Sequence, residues 1–177
     1  MALKKKTKLI VVCGLPGSGK TTLSKELSKR TKIVCLRKDS IKEALYDIFE
    51  MKTLEDSKNI GEKSIKLLFN LSEEQLTQGI NLIIEAPFNF SDDYRIFKHW
   101  QRKYNLDLYS IICSIDDKTR ITRINNRQRH HAHHDAERGD FLMNTKCNYG
   151  NIPGIQINVT TDERVTVLVD KILDQLK

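Results

Sequence analysis

Eight consecutive residues near the amino end constrain this chain more than any other stretch: Gly14-Leu15-Pro16-Gly17-Ser18-Gly19-Lys20-Thr21. They match G-x-x-x-x-G-K-[ST], a loop whose main-chain N–H groups cradle phosphate. Leu9-Ile10-Val11-Val12-Cys13 runs before it, apolar and rich in β-branched residues, and reads as a buried strand. Thr22-Leu23-Ser24-Lys25-Glu26-Leu27 follows with helix formers and an apolar pair four residues apart. Gly14, Gly17 and Gly19 free the backbone to crowd N–H groups around an anion, and the helix starting near Lys20 aims its positive dipole end there. Pro16, Ser18 and Thr22 complete the expected phosphate-contact set. Lys20 can reach β- and γ-phosphates, and the Thr21 hydroxyl can ligate Mg²⁺.

The rest of the chain alternates apolar runs with helical stripes. Strands are expected at 32–36, 81–86, 106–115 and 155–159. Helices are expected at 41–49, 54–77, 91–104, 118–129 and 162–176, with Gly61 as a break or kink and Gly79 as a carboxyl-terminal cap. This order argues a three-layer α/β fold around a parallel sheet, in one domain spanning 1–177. Between His130 and Pro153 no apolar period appears, so a mobile lid is expected over about 118–150.

Composition bounds the setting. The net charge is +7, of which Lys4, Lys5, Lys6 and Lys8 supply four, so the lysine run reads as a solvated tail. No apolar run approaches the roughly 20 residues of a membrane span. The short run after the basic start leads into the glycine loop and does not read as a secretory signal. Cys13, Cys35, Cys113 and Cys147 show no paired spacing, which disfavours a disulfide framework and suits the cytoplasm.

Ligands of open parallel sheets bind beyond the carboxyl ends of the strands. That rule selects the glycine loop, Lys38-Asp39, Glu85 and the Asp116-Asp117 turn. Asp39 suits a general base for an acceptor hydroxyl, or alternatively a helix N-cap. Glu85 suits a carboxylate near Mg²⁺, or a salt-bridged strand end. Arg37, Lys38 and Lys42 either hold an anionic part of a substrate or are solvated. Arg120, Arg123 and Arg127 recur at three and four residues and fall on one helical face, with Arg129 beyond. They serve a triphosphate or form a solvated basic face; beside a phosphate loop, Arg123 and Arg127 are the expected phosphate contacts. His130, His131, His133, His134 and Asp135 form a dense cluster that makes a zinc site conceivable, but residues so close in sequence cannot all converge on one tetrahedral ion and no cysteine pair supports them. They read as a lid that touches phosphate or substrate, or as solvent-exposed residues.

These stretches together resemble the small P-loop kinases of the adenylate-kinase-like group. The likeness is to the subgroup with polynucleotide 5′-hydroxyl kinases, zeta-toxin-like kinases and antibiotic phosphotransferases. It rests on the glycine loop continued to Leu23, on Arg37-Lys38-Asp39-Ser40-Ile41-Lys42, on Ile83-Ile84-Glu85-Ala86-Pro87-Phe88 and on Arg123-Ile124-Asn125-Asn126-Arg127. Arg129-His130-His131-Ala132-His133-His134-Asp135 is similar to an R-H-x-x-H stretch of that group. The resemblance implies strand order 2-3-1-4-5, ATP with Mg²⁺ as donor, Asp39 as base and Arg123 and Arg127 as lid arginines. Two positions depart: Glu85 stands where many relatives have Asp, and Lys42 where Arg is expected. The expected activity is transfer of the ATP γ-phosphoryl group to a hydroxyl of a small molecule. A polynucleotide 5′-kinase and a nucleotide switch without transfer are the alternatives.

Overall fold

Strand β1 (Lys8–Gly14) is the middle strand of a five-stranded sheet, and Leu9 to Cys13 are all fully buried. Successive side chains point to opposite faces, so a strand buried on both must be apolar throughout. Leu9, Val11 and Cys13 join one core cluster, and Ile10 and Val12 join the other. The computed structural model describes residues 6–134 and 147–176. The remaining elements are α1 (Lys20–Thr31), β2 (Val34–Arg37), α2 (Lys38–Ile48), α3 (Leu54–Thr77), β3 (Leu82–Glu85) and α4 (Ser91–Lys103). They are followed by β4 (Asp107–Ser114), α5 (Asp117–Asn126), a 3₁₀ turn (His131–His133), β5 (Ile155–Thr160) and α6 (Val165–Gln175).

The sheet is parallel throughout, in order β2-β3-β1-β4-β5, as the resemblance implies. Helices α3 and α4 cover one face through Leu68, Leu76, Phe97 and Trp100, and α1 and α6 cover the other through Leu23, Leu27, Val169 and Ile172. Phe69, Phe88, Phe97 and Trp100 form an aromatic cluster, with Phe88 and Phe97 edge-to-face at 5.1 Å. Among the described residues no helix is long and apolar enough to cross a membrane.

Several boundaries and one region differ from expectation. Helix α3 runs unbroken through Gly61, because Ile60, Ser64, Leu68 and Ser72 bury one side of it. That packing outweighs the roughly 1 kcal/mol a helical glycine costs. Thr53 and Asp56 form a capping box at its start, each backbone N–H reaching the other's side chain at 3.0 Å. It ends at Gly79 as expected. That residue has φ +70°, its N–H donates to Leu76 and that of Ile80 donates to Gln75. Helix α5 stops at Asn126, so Arg127 and Arg129 lie beyond it and the expected arginine face is interrupted. The segment expected as a mobile lid is partly core: Ala132, His133 and Ile152 are buried. Ala132 and His133 are buried against α2 and α3, and Ile152 joins the core cluster of Leu9 and Leu108, which no local periodicity announces. Asp135 and the rest of 135–146 lie outside the described residues.

Phe97→Ala should cost about 3–5 kcal/mol, because the ring is fully buried among three aromatic neighbours. Urea unfolding checks this: the midpoint should fall with the m-value unchanged.

Candidate active site

The parallel register brings the selected residues to one edge. Val12 of β1 and Arg37 of β2 both lie opposite Glu85 of β3, so the glycine loop, the start of α2 and Glu85 emerge side by side. Gly14 takes φ +142°, and a Cβ there would meet the Cys113 carbonyl oxygen at 2.3 Å. Only glycine lets the loop lie this close to β4. Gly19 caps α1 at φ +83° with no side-chain cap, leaving the first amides of the helix facing the loop. The Ser18 hydroxyl is buried and has no hydrogen-bond partner among the described residues. A buried orphan donor inside an anion cradle fits a phosphate oxygen.

The loop's other groups are poised. Lys20 donates to the Leu15 carbonyl at 3.0 Å, bridging the loop across its own mouth. Thr21 donates to Glu85 Oε2 at 3.1 Å. Glu85 is almost wholly buried, and desolvation raises its pKa against the opposing pull of Lys20. The hydroxyl and carboxylate converge as two hard oxygen donors next to the phosphate cradle, and that donor set fits Mg²⁺. A buried carboxylate whose charge is disfavoured is also where a cation gains most.

Asp39 lies in the first turn of α2, with Arg37 as the N-cap residue and no side-chain cap bond. It is therefore not the N-cap. Its carboxylate accepts from Arg129 Nη2 at 2.6 Å and sits 3.6 Å from Lys38 Nζ. Desolvation pushes its pKa up, but Lys38 and then Arg129, His133 and Lys20 together hold it well below the usual carboxylate range. Lys42, expected near substrate or in solvent, is buried and donates to Ser57 Oγ at 2.7 Å. Ser57 in turn donates to the Ala132 carbonyl at 2.6 Å.

The arginines divide. Arg120 is buried against the loop, where a Cβ on Gly17 would lie 2.8 Å from its carbonyl oxygen, and its Nε meets Asp117 at 2.9 Å. Arg123 donates twice to Thr161, to Oγ1 at 2.9 Å and to the carbonyl at 2.7 Å. Thr161 Oγ1 donates to the Ser18 carbonyl, so this pair ties α5 to the back of the loop. Arg127 is the half-buried C-cap of α5.

Arg129 is the residue the sequence reading placed least well. It begins a strap, Arg129 to His134, laid along α2. Asp39 meets Arg129, and Glu43 meets His133 at 2.8 Å. Tyr46 meets His134 at 3.0 Å, and Asp47 meets His130 at 3.1 Å. The contacted residues 39, 43, 46 and 47 recur at helical spacing, which was visible, but nothing local linked them to a segment some 90 residues away.

The fold and loop define a P-loop protein with kinase-like architecture. The chain belongs to the AAA domain family designated AAA_33, whose model matches residues 9–143. No protein of curated function matches it. A Chloroflexus aurantiacus protein provisionally classed as a kinase is similar in structure, with TM-score 0.78 and 23% identity over 98% of each chain. A sugar kinase from Janibacter sp. aligns at TM-score 0.64 and 16% identity, over 96% of this chain and 94% of that one. The APS kinase CysC of Mycobacterium tuberculosis, in complex with AMPPNP and APS, aligns at TM-score 0.60 and 14% identity, over 98% and 99%.

His133 gives this site a pH signature. Burial lowers its pKa from 6.5 to about 4, with Asp39 opposing and Arg129 adding to the drop. Between those values the unfolded chain takes up a proton that the folded chain refuses, so stability falls as pH falls through this window. The loss should be of order 1–3 kcal/mol and should level off below pH 4. His133→Asn should flatten the thermal midpoint between pH 6.5 and 4, read by calorimetry.

Proposed function

We propose that this protein is an ATP-dependent kinase that transfers the γ-phosphoryl group to a hydroxyl of a small-molecule acceptor. The observation that carries the proposal is the convergence of three groups at one sheet edge: the phosphate loop, the Thr21–Glu85 pair and the Asp39 carboxylate. The neighbours support it, since two are kinases by name and one binds AMPPNP and APS on the same fold.

In this reading Gly14, Pro16, Gly17, Ser18, Gly19 and Thr22 frame the triphosphate. Lys20 leaves the Leu15 carbonyl for the β- and γ-oxygens. Thr21 and Glu85 would hold Mg²⁺, which when bound would neutralise charge on the phosphates. Asp39 receives and orients the acceptor hydroxyl. Arg129 holds Oδ2, so the hydroxyl approaches Oδ1 on the Lys38 side. A carboxylate this acidic is a weak base. It suffices because phosphoryl transfer passes through a loose transition state in which the nucleophile loses its proton late. Arg123 and Arg127 act as phosphate cations from the end of α5, and Arg123 exchanges its Thr161 bonds to do so. Cytoplasmic residence belongs to the same proposal, consistent with four unpaired cysteines.

Arg37, Lys38 and Arg129 surround the acceptor position, which favours acceptors that themselves carry an anion. A 5′-hydroxyl oligonucleotide is therefore the second reading.

Two measurements test the proposal. Asp39→Asn should lower kcat about 10²–10⁴-fold and leave ATP affinity within about threefold. Equal loss of both would remove Asp39 from the chemistry. An ATP-consumption screen over nucleosides, sugars, aminoglycosides and 5′-hydroxyl oligonucleotides should yield one acceptor class. Slow hydrolysis alone across the panel would instead indicate a nucleotide switch.

A further inference from the structure

The strap meets α2 at two ends, and the end away from Asp39 has no part in the proposed chemistry. There His130 Nε2 lies 3.1 Å from Asp47 Oδ2, and His131 Nε2 lies 3.5 Å from Asp47 Oδ1. The two imidazole rings lie beside each other at 4.1 Å between centroids, tilted by 31°. All three ligand atoms fall within 4.8 Å of one another.

We propose that Asp47, His130 and His131 form a binding site for a divalent transition metal of the zinc class, which staples the strap to α2. Zinc–nitrogen and zinc–oxygen bonds of 2.0–2.1 Å in a tetrahedron place ligand atoms about 3.3 Å apart. The two histidine–carboxylate separations already match that spacing. Two imidazoles and one carboxylate suit zinc, nickel, copper or ferrous iron and are too soft a set for Mg²⁺ or Ca²⁺. The site is thus chemically distinct from the Thr21–Glu85 pair.

The scaffold is preorganised. Ala132, between the ligands and the rest of the strap, is fully buried, and its carbonyl is held by Ser57. Asp47 rides on the regular helix α2. The solvent side is open, because side-chain exposure is 54% at Asp47 and 67% at His131. A fourth position is therefore left for water. Glu50 and Lys52 line the adjoining cleft with Tyr46 and Met51, and their opposite charges offset each other.

Binding requires one rearrangement. In the metal-free protein His130 Nδ1 accepts from the Ala132 N–H at 3.2 Å, which leaves the ring proton on Nε2, facing Asp47. Metal at Nε2 moves that proton to Nδ1, and the Ala132 contact is given up. The lost bond is worth far less than a metal–imidazole bond.

The histidines, read from the sequence as too close together for all of them to converge on one ion, divide accordingly. Two of the four converge, and α2 supplies the third ligand.

The experiment titrates zinc sulfate into the full chain, stripped of metal and held in excess Mg²⁺, by calorimetry. One equivalent should bind. Asp47→Asn and His131→Ala should each weaken binding about tenfold or more, while Glu85→Gln leaves it unchanged. Both altered side chains are more than half exposed, so zinc-free thermal midpoints should match the wild type and certify folding. Nitrogen chemical shifts of His130 should change from the Nε2–H to the Nδ1–H tautomer on loading. Absence of stoichiometric binding, or equal zinc affinity in the Asp47→Asn/His131→Ala double variant, would overturn the proposal. None of these readouts depends on phosphoryl transfer.

Discussion

Everything chemical in this molecule depends on β1 having a parallel partner on each side. Val12 faces Glu85, the last residue of β3, across one ladder, and Gly14 faces Cys113 across the other, so both neighbours flank the point where the loop begins. A parallel sheet puts all carboxyl ends on one edge, and the amides of the following helices then point at the same space. Gly14 is the tightest point of this arrangement. Its backbone passes so near Cys113 that any side chain would displace either the loop or β4. The glycine loop is thus positioned by sheet geometry, and Thr21 and Glu85 meet because β3 ends beside β1 just before the loop begins.

The fold was legible for the same reason. Continuous apolar runs at Leu9–Cys13 and Leu82–Ile84, separated by helical stripes, admit few arrangements other than a parallel sheet. Glu85 and Asp39 could be picked out because one ends a strand and the other lies two residues beyond one. What escaped was long-range pairing. Arg129 reaches Asp39, Arg123 reaches Thr161, and His133 reaches Glu43, each across tens of residues with no period to betray it. Polar contacts of this kind obey geometry set by the whole fold. The polar run after His130 illustrates the point: it has no apolar rhythm, yet Ala132 and His133 are buried because α2 and α3 supply their partners.

The charge balance at Asp39 also explains what the strap does. A carboxylate facing Lys38, Arg129 and Lys20 is locked in its ionised form, so its protonation cannot be the variable that controls the site near neutral pH. Position is the remaining variable. Arg129 grips one carboxylate oxygen at 2.6 Å, and its backbone is held by a strap whose other contacts run the length of α2. Withdrawal of Arg129 would take a full positive charge away from Asp39 and make the carboxylate more basic. The buried Lys42–Ser57–Ala132 chain anchors the middle of the strap.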